Sequence, residues 1–477
     1  MSVDVAPRLA VVGHPNKGKS SLVATLAEDD SVAIGATPGT TRHAREYPMR
    51  ADGRLLYTLV DTPGFQRARQ VLAWLVRRAE ERSATAADRP ALVAELVADR
   101  ECAARFPDEV ELLRPLVEGA GILYVVDGGV PYGPEYEAEM EVLRWTGRPS
   151  MAIVNPIGSN EHVEAWKAGL GQFFRVVRVV DALHADFETR RRLLLAFAEL
   201  EADWREPIEA AVAALDALRA SRRRRASHEI AALLADALGL VVERRLEPDE
   251  DPSRHAAELE VEYKRELVRL ERAHRRRVQA VYDYHDLEAR AAELEVIEED
   301  LFSEGTWLRF GLRRRDLVSA GAAGGAAAGG AIDVALGGAS LLAGVAIGGA
   351  GGGVLGWLGA GRLAELRVID RPLGGRLARY GPSRSPNFGF VLFGRARYHC
   401  GLLARRTHAM RDAIDLDAER AARQPLDSKE RNELARLFAT LRRPGLPAAA
   451  RGEGVASLAG SAAAILEADE GRPIERA

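Results

Sequence analysis

One octapeptide near the amino terminus constrains this chain more than any other feature. It fits the pattern G-x-x-x-x-G-K-[ST], in which a glycine-rich turn holds phosphate groups. Its residues are Gly13, His14, Pro15, Asn16, Lys17, Gly18, Lys19 and Ser20. A short β-branched run, 8–12, precedes it and a helix-forming run, 20–27, follows it. The glycines therefore fall at a predicted strand-to-helix turn, which is the context that a phosphate site needs.

Each residue type in this turn has a predicted role in binding phosphate or its metal ion. Gly13 and Gly18 allow the backbone to curl so that its N–H groups point inward. Lys19 is predicted to reach the β- and γ-phosphates, and the Ser20 hydroxyl to ligate Mg²⁺. The sequence therefore predicts a site for a nucleoside triphosphate.

The composition excludes several classes of protein. With 66 basic and 70 acidic residues the net charge is −4, so no overall attraction to nucleic acid is expected. Cys102 and Cys400 are too few for a disulfide framework or a cysteine-rich metal site. The sequence runs from Met1 into the first predicted strand without a signal peptide, so we expect a cytoplasmic protein. A chain of 477 residues is expected to form about three domains.

A second motif follows the apolar run 55–60 and consists of Asp61, Thr62, Pro63 and Gly64. A strand that ends in aspartate places a carboxylate where a second Mg²⁺ contact is needed, and the Gly64 N–H is predicted to bond the γ-phosphate. The polar, turn-rich segment 36–42 lies between the two motifs. Its hydroxyl groups are expected to close over Mg²⁺ and the γ-phosphate, as in a switch loop.

Together these motifs resemble those of the TrmE/Era/EngA-like GTPases. The matching residues are Gly13-x-Pro15-Asn16-x-Gly18-Lys19-Ser20-Ser21, Thr37-Pro38-Gly39-Thr40-Thr41-Arg42 and Asp61-Thr62-Pro63-Gly64. The resemblance implies an α/β P-loop NTPase fold over 1–203, with a Ras-like mixed sheet flanked by helices. It also implies that Thr41 joins Ser20 and Asp61 as a Mg²⁺ ligand, and that Asn16 coordinates an activating K⁺. Lys19, Thr41 and Gly64 are then the expected catalytic residues.

Two positions depart from this family. Phe65 follows the second motif, where Ras-like proteins carry a glutamine that orients water, and its ring cannot replace that hydrogen bond. Slow intrinsic hydrolysis is therefore expected, dependent on a cation, another switch residue or pairing of GTPase domains. The family also has a helix and a strand directly after this motif, whereas here 66–118 forms a predicted helical insertion. That insertion either relays the nucleotide state to a partner or is a packed hairpin without a regulatory role.

The base-reading motif is incomplete. A predicted buried strand, 151–155, ends in Asn155, where the family has Asn-Lys-x-Asp, but Pro156 and Gly158 replace the lysine and the aspartate. A carboxylate that accepts two guanine N–H bonds is the main means of rejecting adenine. Asp181 and Ala182 follow the next predicted strand and are expected to contact the base through their backbone. GTP and GDP are thus the expected ligands by resemblance, and guanine specificity stays open.

The rest of the chain is predicted to be mostly α-helical, with a charged helical region over 204–308 and a further helical region, 368–477, that ends in a loose tail. Between them, 309–367 is a Gly/Ala-rich hairpin, and its part 317–361 has Asp333 as its one ionisable residue. Glycines recur there every fourth residue, as in a glycine zipper. A hairpin on the cytoplasmic face of the inner membrane, a soluble hairpin and a linker are the three interpretations.

The layout is similar to that of a bacterial group of GTPase-containing proteins whose C-terminal domain has no assigned function. It predicts a GTPase that hydrolyses GTP to GDP and phosphate and acts as a nucleotide switch. Its effector is expected to be a membrane or protein partner bound through 204–367. Two alternatives are a nucleotide-gated scaffold with little hydrolysis and an RNA-modification or ribosome-associated factor, although no RNA-binding module is recognisable in the sequence.

Overall fold

The computed structural model describes residues 6–28, 43–51, 53–247, 251–284, 367–368, 371–372, 376–383, 385, 387–410, 426–443 and 445–470. The chain divides into two compact units, the first formed by Met1–Ala220 with Arg405–Asp412 and the second by Ser221–Ala404 with Ala413–Ala477. The predicted switch loop 36–42, with Thr41, lies outside the described residues, and so does the Gly/Ala-rich segment 317–361.

A mixed sheet of six strands forms the centre of the first unit, which confirms the predicted fold class. Its strands are β1 (Arg8–Val12), β2 (Arg45–Ala51), β3 (Arg54–Asp61), β4 (Gly121–Asp127), β5 (Ser150–Asn155) and β6 (Val176–Val179). The order across the sheet is β2-β3-β1-β4-β5-β6, in which β2 runs antiparallel to β3 and the other neighbours are parallel. All seven residues of β4 are buried, as expected for a central parallel strand covered on both faces.

Helices cover the two faces of this sheet. They are α1 (Lys19–Ala27), α2 (Ala68–Glu81), α3 (Arg89–Ala98), α4 (Arg100–Arg105), α5 (Pro107–Val117), α6 (Pro134–Trp145), α7 (Val163–Leu170) and α8 (Phe187–Ala198). The predicted insertion 66–118 contains α2 to α5. Local signals set these helices, since proline occupies the first turn of α3, α5 and α6, and the Asp99 carboxylate accepts hydrogen bonds from the first-turn amides of α4.

The topology brings several polar residues to one edge of the sheet. The parallel strands β3, β4 and β5 end at Asp61, Asp127 and Asn155, and β1 ends immediately before Gly13. Carboxyl ends of parallel strands lie at the same edge, where open α/β sheets bind ligands. The two sequence motifs and Asn155 therefore meet at this edge although up to 142 positions separate them.

Helices dominate the second unit. The helix α9 (Arg205–Leu238) crosses from the first unit into it, and its other helices are α10 (Ala256–Val281), α11 (Phe388–Arg405), α12 (Ser428–Leu441) and α13 (Ala448–Glu470). Its short strands are β7 (Val242–Leu246), β8 (Arg367–Val368), β9 (Arg371–Pro372) and β10 (Arg376–Tyr380). The strand β10 pairs antiparallel with β7. A mostly helical C-terminal region was expected and is confirmed.

The end of this region differs from the sequence expectation. A loose tail was predicted from 446, but α13 occupies Ala448–Glu470. Alanine has the highest helix propensity, and Leu458, Ala462 and Ile465 form a buried stripe at helical spacing, so packing stabilises the segment. Among the described helices, none combines the length and the apolarity that crossing a bilayer requires.

Candidate functional site

The turn between β1 and α1 has the backbone shape that bound phosphate requires. Gly13 and Gly18 adopt φ values of +141° and +81°, in the region that favours glycine. A Cβ atom at Gly13 would collide with the carbonyl oxygen of Val125, and one at Gly18 with the side chain of Asn155. Gly18 is also the N-cap of α1, and because it has no side chain, the first amides of the helix are left for an anion.

Lys19 lies beneath this turn and is nearly buried. Its ammonium donates hydrogen bonds to the carbonyl oxygens of Gly13 and His14, at 3.2 and 2.9 Å. Burial lowers the pKa of Lys19 to about 8, and the negative charges of Asp61 and Glu139 partly oppose this shift. An ammonium group held against the carbonyl oxygens of the turn is suited to binding phosphate oxygens.

The two sequence motifs meet at Ser20 and Asp61. The Ser20 hydroxyl donates to Asp61 Oδ2 at 2.9 Å. Thr62 is buried and fixes the second motif by donating to the carbonyl oxygens of Val11, at 2.8 Å, and of Pro63, at 3.2 Å. A hydroxyl and a carboxylate at a phosphate-binding turn are the hard oxygen ligands that Mg²⁺ prefers, so this donor set fits that ion.

Three other predicted site residues are less defined. Asn16 is exposed at φ 58°, and Ser21 is half-buried in the first turn of α1. Thr41 lies outside the described residues. The roles of Asn16 in K⁺ binding and of Thr41 in Mg²⁺ binding stay predictions.

The segment after Asp61 is packed directly on the phosphate turn. A Cβ atom added to Gly64 would lie 2.6 Å from the backbone nitrogen of Pro15, so only glycine permits this approach. The next backbone N–H, that of Phe65, donates to the carbonyl oxygen of Gly13 at 3.2 Å. The Phe65 side chain is buried in the apolar core that the sheet shares with the insertion.

Asn155 connects the phosphate turn, 13–20, to the segment 181–183, which is called the base loop below. Its amide donates to the carbonyl oxygen of Lys17 at 3.3 Å, and its Oδ1 accepts the backbone N–H of Ala182 at 3.1 Å. The Thr25 hydroxyl donates to the carbonyl oxygen of Ala182 at 2.7 Å. The ammonium of Lys17 lies 3.6 Å from Asp127 Oδ2 at the end of β4. The structure thus brings together Asn155 and Ala182, two of the residues predicted for the base side.

Asp181 shapes the base loop, residues 181–183, through its side-chain carboxylate. Its Oδ1 accepts the backbone N–H groups of Leu183 and His184, at 3.0 and 3.2 Å, and its Oδ2 is 2.9 Å from Nδ1 of His184. Ile157 and Leu183 are large apolar residues left 44% and 40% exposed on this side of the site. Such surfaces are suited to contact with the faces of a purine ring.

A buried carboxylate beneath the phosphate turn escaped the sequence analysis. Glu139 on α6 is 2% exposed, and its Oε1 is hydrogen-bonded to Nδ1 of His14 at 2.8 Å. Its Oε2 accepts the Tyr124 hydroxyl at 2.9 Å. Burial raises the pKa of Glu139, although both hydrogen bonds and the Lys19 charge oppose the shift. Helical spacing alone gives no signal for this residue, because an apolar side chain suits the position equally well.

Asp127 was also missed, and here the sequence did contain a signal. Asp127 ends an apolar run, as Asp61 and Asn155 do. Parallel strands place residues at such ends side by side, and Asp127 is paired with Asn155.

Comparisons with known proteins agree with this geometry. Residues 8–155 match the family model described as 50S ribosome-binding GTPase, and 167–454 match the one described as Domain of unknown function (DUF3482). Over 70 residues the chain is 49% identical to GTPase Der of Herminiimonas arsenicoxydans, an alignment that covers 15% of each chain. Over 90 residues it is 38% identical to GTPase Der of Agathobacter rectalis, covering 19% of this chain and 20% of that protein. The chain thus spans a fifth or less of these relatives, within the GTPase region alone.

Proposed function

The chain belongs to the family described as Domain of unknown function (DUF3482), with a GTPase domain in its N-terminal part, and on this premise we propose that the protein binds GTP and hydrolyses it to GDP and phosphate as a nucleotide switch. The observation that carries this proposal is the 2.9 Å hydrogen bond from Ser20 to Asp61, because it joins the two motifs beside Lys19. Hydrolysis of a phosphoanhydride needs positioning and charge compensation more than covalent chemistry.

Each residue has a defined task in this mechanism. The amides of the turn 13–20 and the Lys19 ammonium hold the phosphates, with Lys19 exchanging its bonds to Gly13 and His14 for phosphate oxygens. Mg²⁺, when bound at Ser20, Asp61 and Thr41, compensates the charge of the phosphate oxygens. The Gly64 amide bonds the γ-phosphate and reports its loss. Because Phe65 cannot orient water, turnover is slow; Asn16 would hold a K⁺ ion, whose positive charge would supply part of the missing activation.

Single-turnover hydrolysis of GTP by the whole chain in K⁺ and in Na⁺, with Mg²⁺ present, tests this function. We expect slow phosphate release that K⁺ accelerates and that Lys19→Ala reduces by about 100-fold or more. If the protein binds GTP but cleaves it no faster than Lys19→Ala does, it is a nucleotide-gated scaffold and not an enzyme.

We further propose that the helical insertion follows the state of the switch. Glu109 on α5 is 1% exposed and accepts the backbone N–H of Gln66, at 2.9 Å, and that of Arg67, at the start of α2. Two residues along the same helix, Glu111 Oε2 accepts the backbone N–H of Ala44 at 3.4 Å, directly after the predicted switch loop. A movement of the segment after Gly64, or of the segment after the predicted switch loop 36–42, therefore changes a hydrogen bond to α5.

Hydrogen exchange of the whole chain with GDP and with a non-hydrolysable GTP analogue tests this coupling. We expect α3 to α5 to exchange differently in the two states, and Glu109→Ala to reduce the difference by breaking both bonds to the start of α2 while the bond of Glu111 to Ala44 remains. Glu80→Ala, at an exposed position of α2, is the matched control. Identical exchange of the wild-type insertion in both states would identify it as a packed hairpin without a regulatory role.

We also propose that 317–361 associates with the cytoplasmic face of the inner membrane. The support comes from the sequence, namely its length, its near lack of charge and the flanking arginines at 313–315. Carbonate extraction of membranes from cells that express the whole chain or a chain lacking 317–361 tests it. Equal extraction of both chains into the soluble fraction would contradict it.

A further inference from the structure

The base loop is held by a residue from far along the chain. The Thr407 hydroxyl donates a hydrogen bond to the carbonyl oxygen of Leu183 at 2.5 Å, across 224 positions of sequence. Thr407 is 1% exposed, so its hydroxyl is shielded from water that would compete for this bond. The segment 405–412 belongs to the first compact unit, together with the GTPase fold.

The backbone around Thr407 is itself fixed. The carbonyl oxygen of Thr407 accepts the backbone N–H of Met410 at 3.1 Å, which closes a turn. The Arg406 side chain donates to the Met410 carbonyl oxygen at 3.0 Å. Ala409, inside this turn, is 3% exposed and belongs to the same apolar core as Leu22 and Phe197. The turn is therefore anchored in the core that supports α1, and it presents a preformed donor to the loop.

Three hydrogen bonds then fix consecutive peptide groups of the base loop. Asn155 holds the N–H of Ala182, Thr25 holds its carbonyl oxygen, and Thr407 holds the next carbonyl oxygen, that of Leu183. Asn155 and Thr25 lie on β5 and α1, the two elements that also shape the phosphate turn. Thr407 is the member of this set that comes from the C-terminal part of the chain. The match to the GTPase family ends at 155, whereas one family match, 167–454, contains both the loop and Thr407.

We propose that Thr407 is a positioning residue for the nucleotide base: the C-terminal part of the chain completes the base side of the site by holding Leu183 where its backbone and side chain meet the purine. This inference rests on the proposed nucleotide binding and specifies how that site is assembled. Thr407 acts through the loop and does not touch the phosphates, so its loss weakens recognition of the base and leaves recognition of the phosphates intact.

Competition against a fluorescent GDP by unlabelled GDP and by inorganic pyrophosphate tests the proposal on the whole chain. Thr407→Val keeps the shape and removes the donor, whereas Thr407→Ser keeps the hydroxyl. Thr440→Val is the matched control, because the Thr440 hydroxyl bonds the carbonyl oxygen of Arg436 within its own helix. We expect Thr407→Val to weaken GDP binding by about fivefold, the range of one hydrogen bond. Pyrophosphate competition should change by less than about twofold, and Thr407→Ser should restore GDP binding.

The outcomes separate this inference from the proposed function. Equal weakening of GDP and pyrophosphate by Thr407→Val, or no weakening of either, would overturn the role of Thr407. If Thr407→Val does not fold, Thr407→Ala, which also removes the donor, replaces it in the test. A lowered ratio of GDP to pyrophosphate affinity in Thr407→Ala then supports the inference, and an unchanged ratio contradicts it. Absence of GDP binding by the wild-type chain would instead refute the proposed function.

Discussion

The phosphate side and the base side of the site are built in different ways. The phosphate side comes from two short motifs within the first 64 residues, and its glycines, Lys19 and Ser20 are of the types that any bound triphosphate requires. The base side is assembled from Asn155, the loop 181–183 and Thr407. Local sequence thus encodes the backbone of the phosphate turn, whereas residues from distant segments hold the base loop in place.

The largest expected effect lies on the phosphate side, at Gly64. In Gly64→Ala the new Cβ would lie 2.6 Å from the backbone nitrogen of Pro15, so one of the two segments must move. Displacement of a catalytic group by about 1 Å costs on the order of 100-fold in rate, and we expect a loss of this size in single-turnover GTP hydrolysis.

Gly460→Ala in α13 is the control for this prediction, since a Cβ there meets open space. Unfolding curves of both variants establish that the fold is intact. Normal hydrolysis by Gly64→Ala would show that the packing of Gly64 on Pro15 is dispensable, and that the phosphate side is less rigid than the base side.

The two sides also differ in how far the sequence predicts them. The turn 13–20 and Asp61 were predictable, because a glycine-rich turn after a strand and a strand that ends in aspartate are local patterns. Asn155 and Ala182 were each expected on the base side, but the hydrogen bond between them was not predicted and is seen only in the structure. Glu139 and Thr407 were not predictable, because their positions depend on helix packing and on the return of the chain at 405–412.

A smaller effect is expected on the base side, at Gly158. This glycine stands where the GTPase resemblance places the guanine-reading aspartate, at φ +73° with open space around a Cβ. Asp tolerates this backbone region better than most residues, so Gly158→Asp is compatible with the fold. The added carboxylate can accept guanine N–H bonds, and we expect the preference for GTP over ATP in competition binding to rise about tenfold.

Gly158→Asn distinguishes the effect of the added charge from an effect on the conformation of the loop. Asn tolerates the same φ but carries no charge, so it should raise the GTP preference much less. An equal shift in both variants would assign the effect to loop conformation. A wild-type chain that already prefers GTP as strongly as Gly158→Asp would show that another group reads guanine, and the base side would then be as complete as the phosphate side.

The smallest effect is expected at Glu139, which supports the phosphate side from below. The negative charge of Glu139 raises the pKa of Lys19, opposing the burial that lowers it to about 8. Glu139→Gln keeps hydrogen-bonding groups for His14 and Tyr124 but removes this charge, so the pKa of Lys19 should fall further. Lys19 binds phosphate as a cation and loses its charge as the pH rises through its pKa. Activity should therefore begin to decline at a lower pH in the variant.

The pH profile of kcat/KM for GTP, which reports groups of the free enzyme, measures this shift. We expect the alkaline limb of Glu139→Gln to move to lower pH, with a loss of about two- to threefold at pH 7. Glu141→Gln is the matched control, because Glu141 lies on the same helix but bonds Arg144 and Trp145. Alkaline limbs that coincide in all three proteins would mean that the charge of Glu139 does not set the pKa of Lys19 in the free enzyme. The phosphate side, unlike the base side, would then need no support from outside its own motifs.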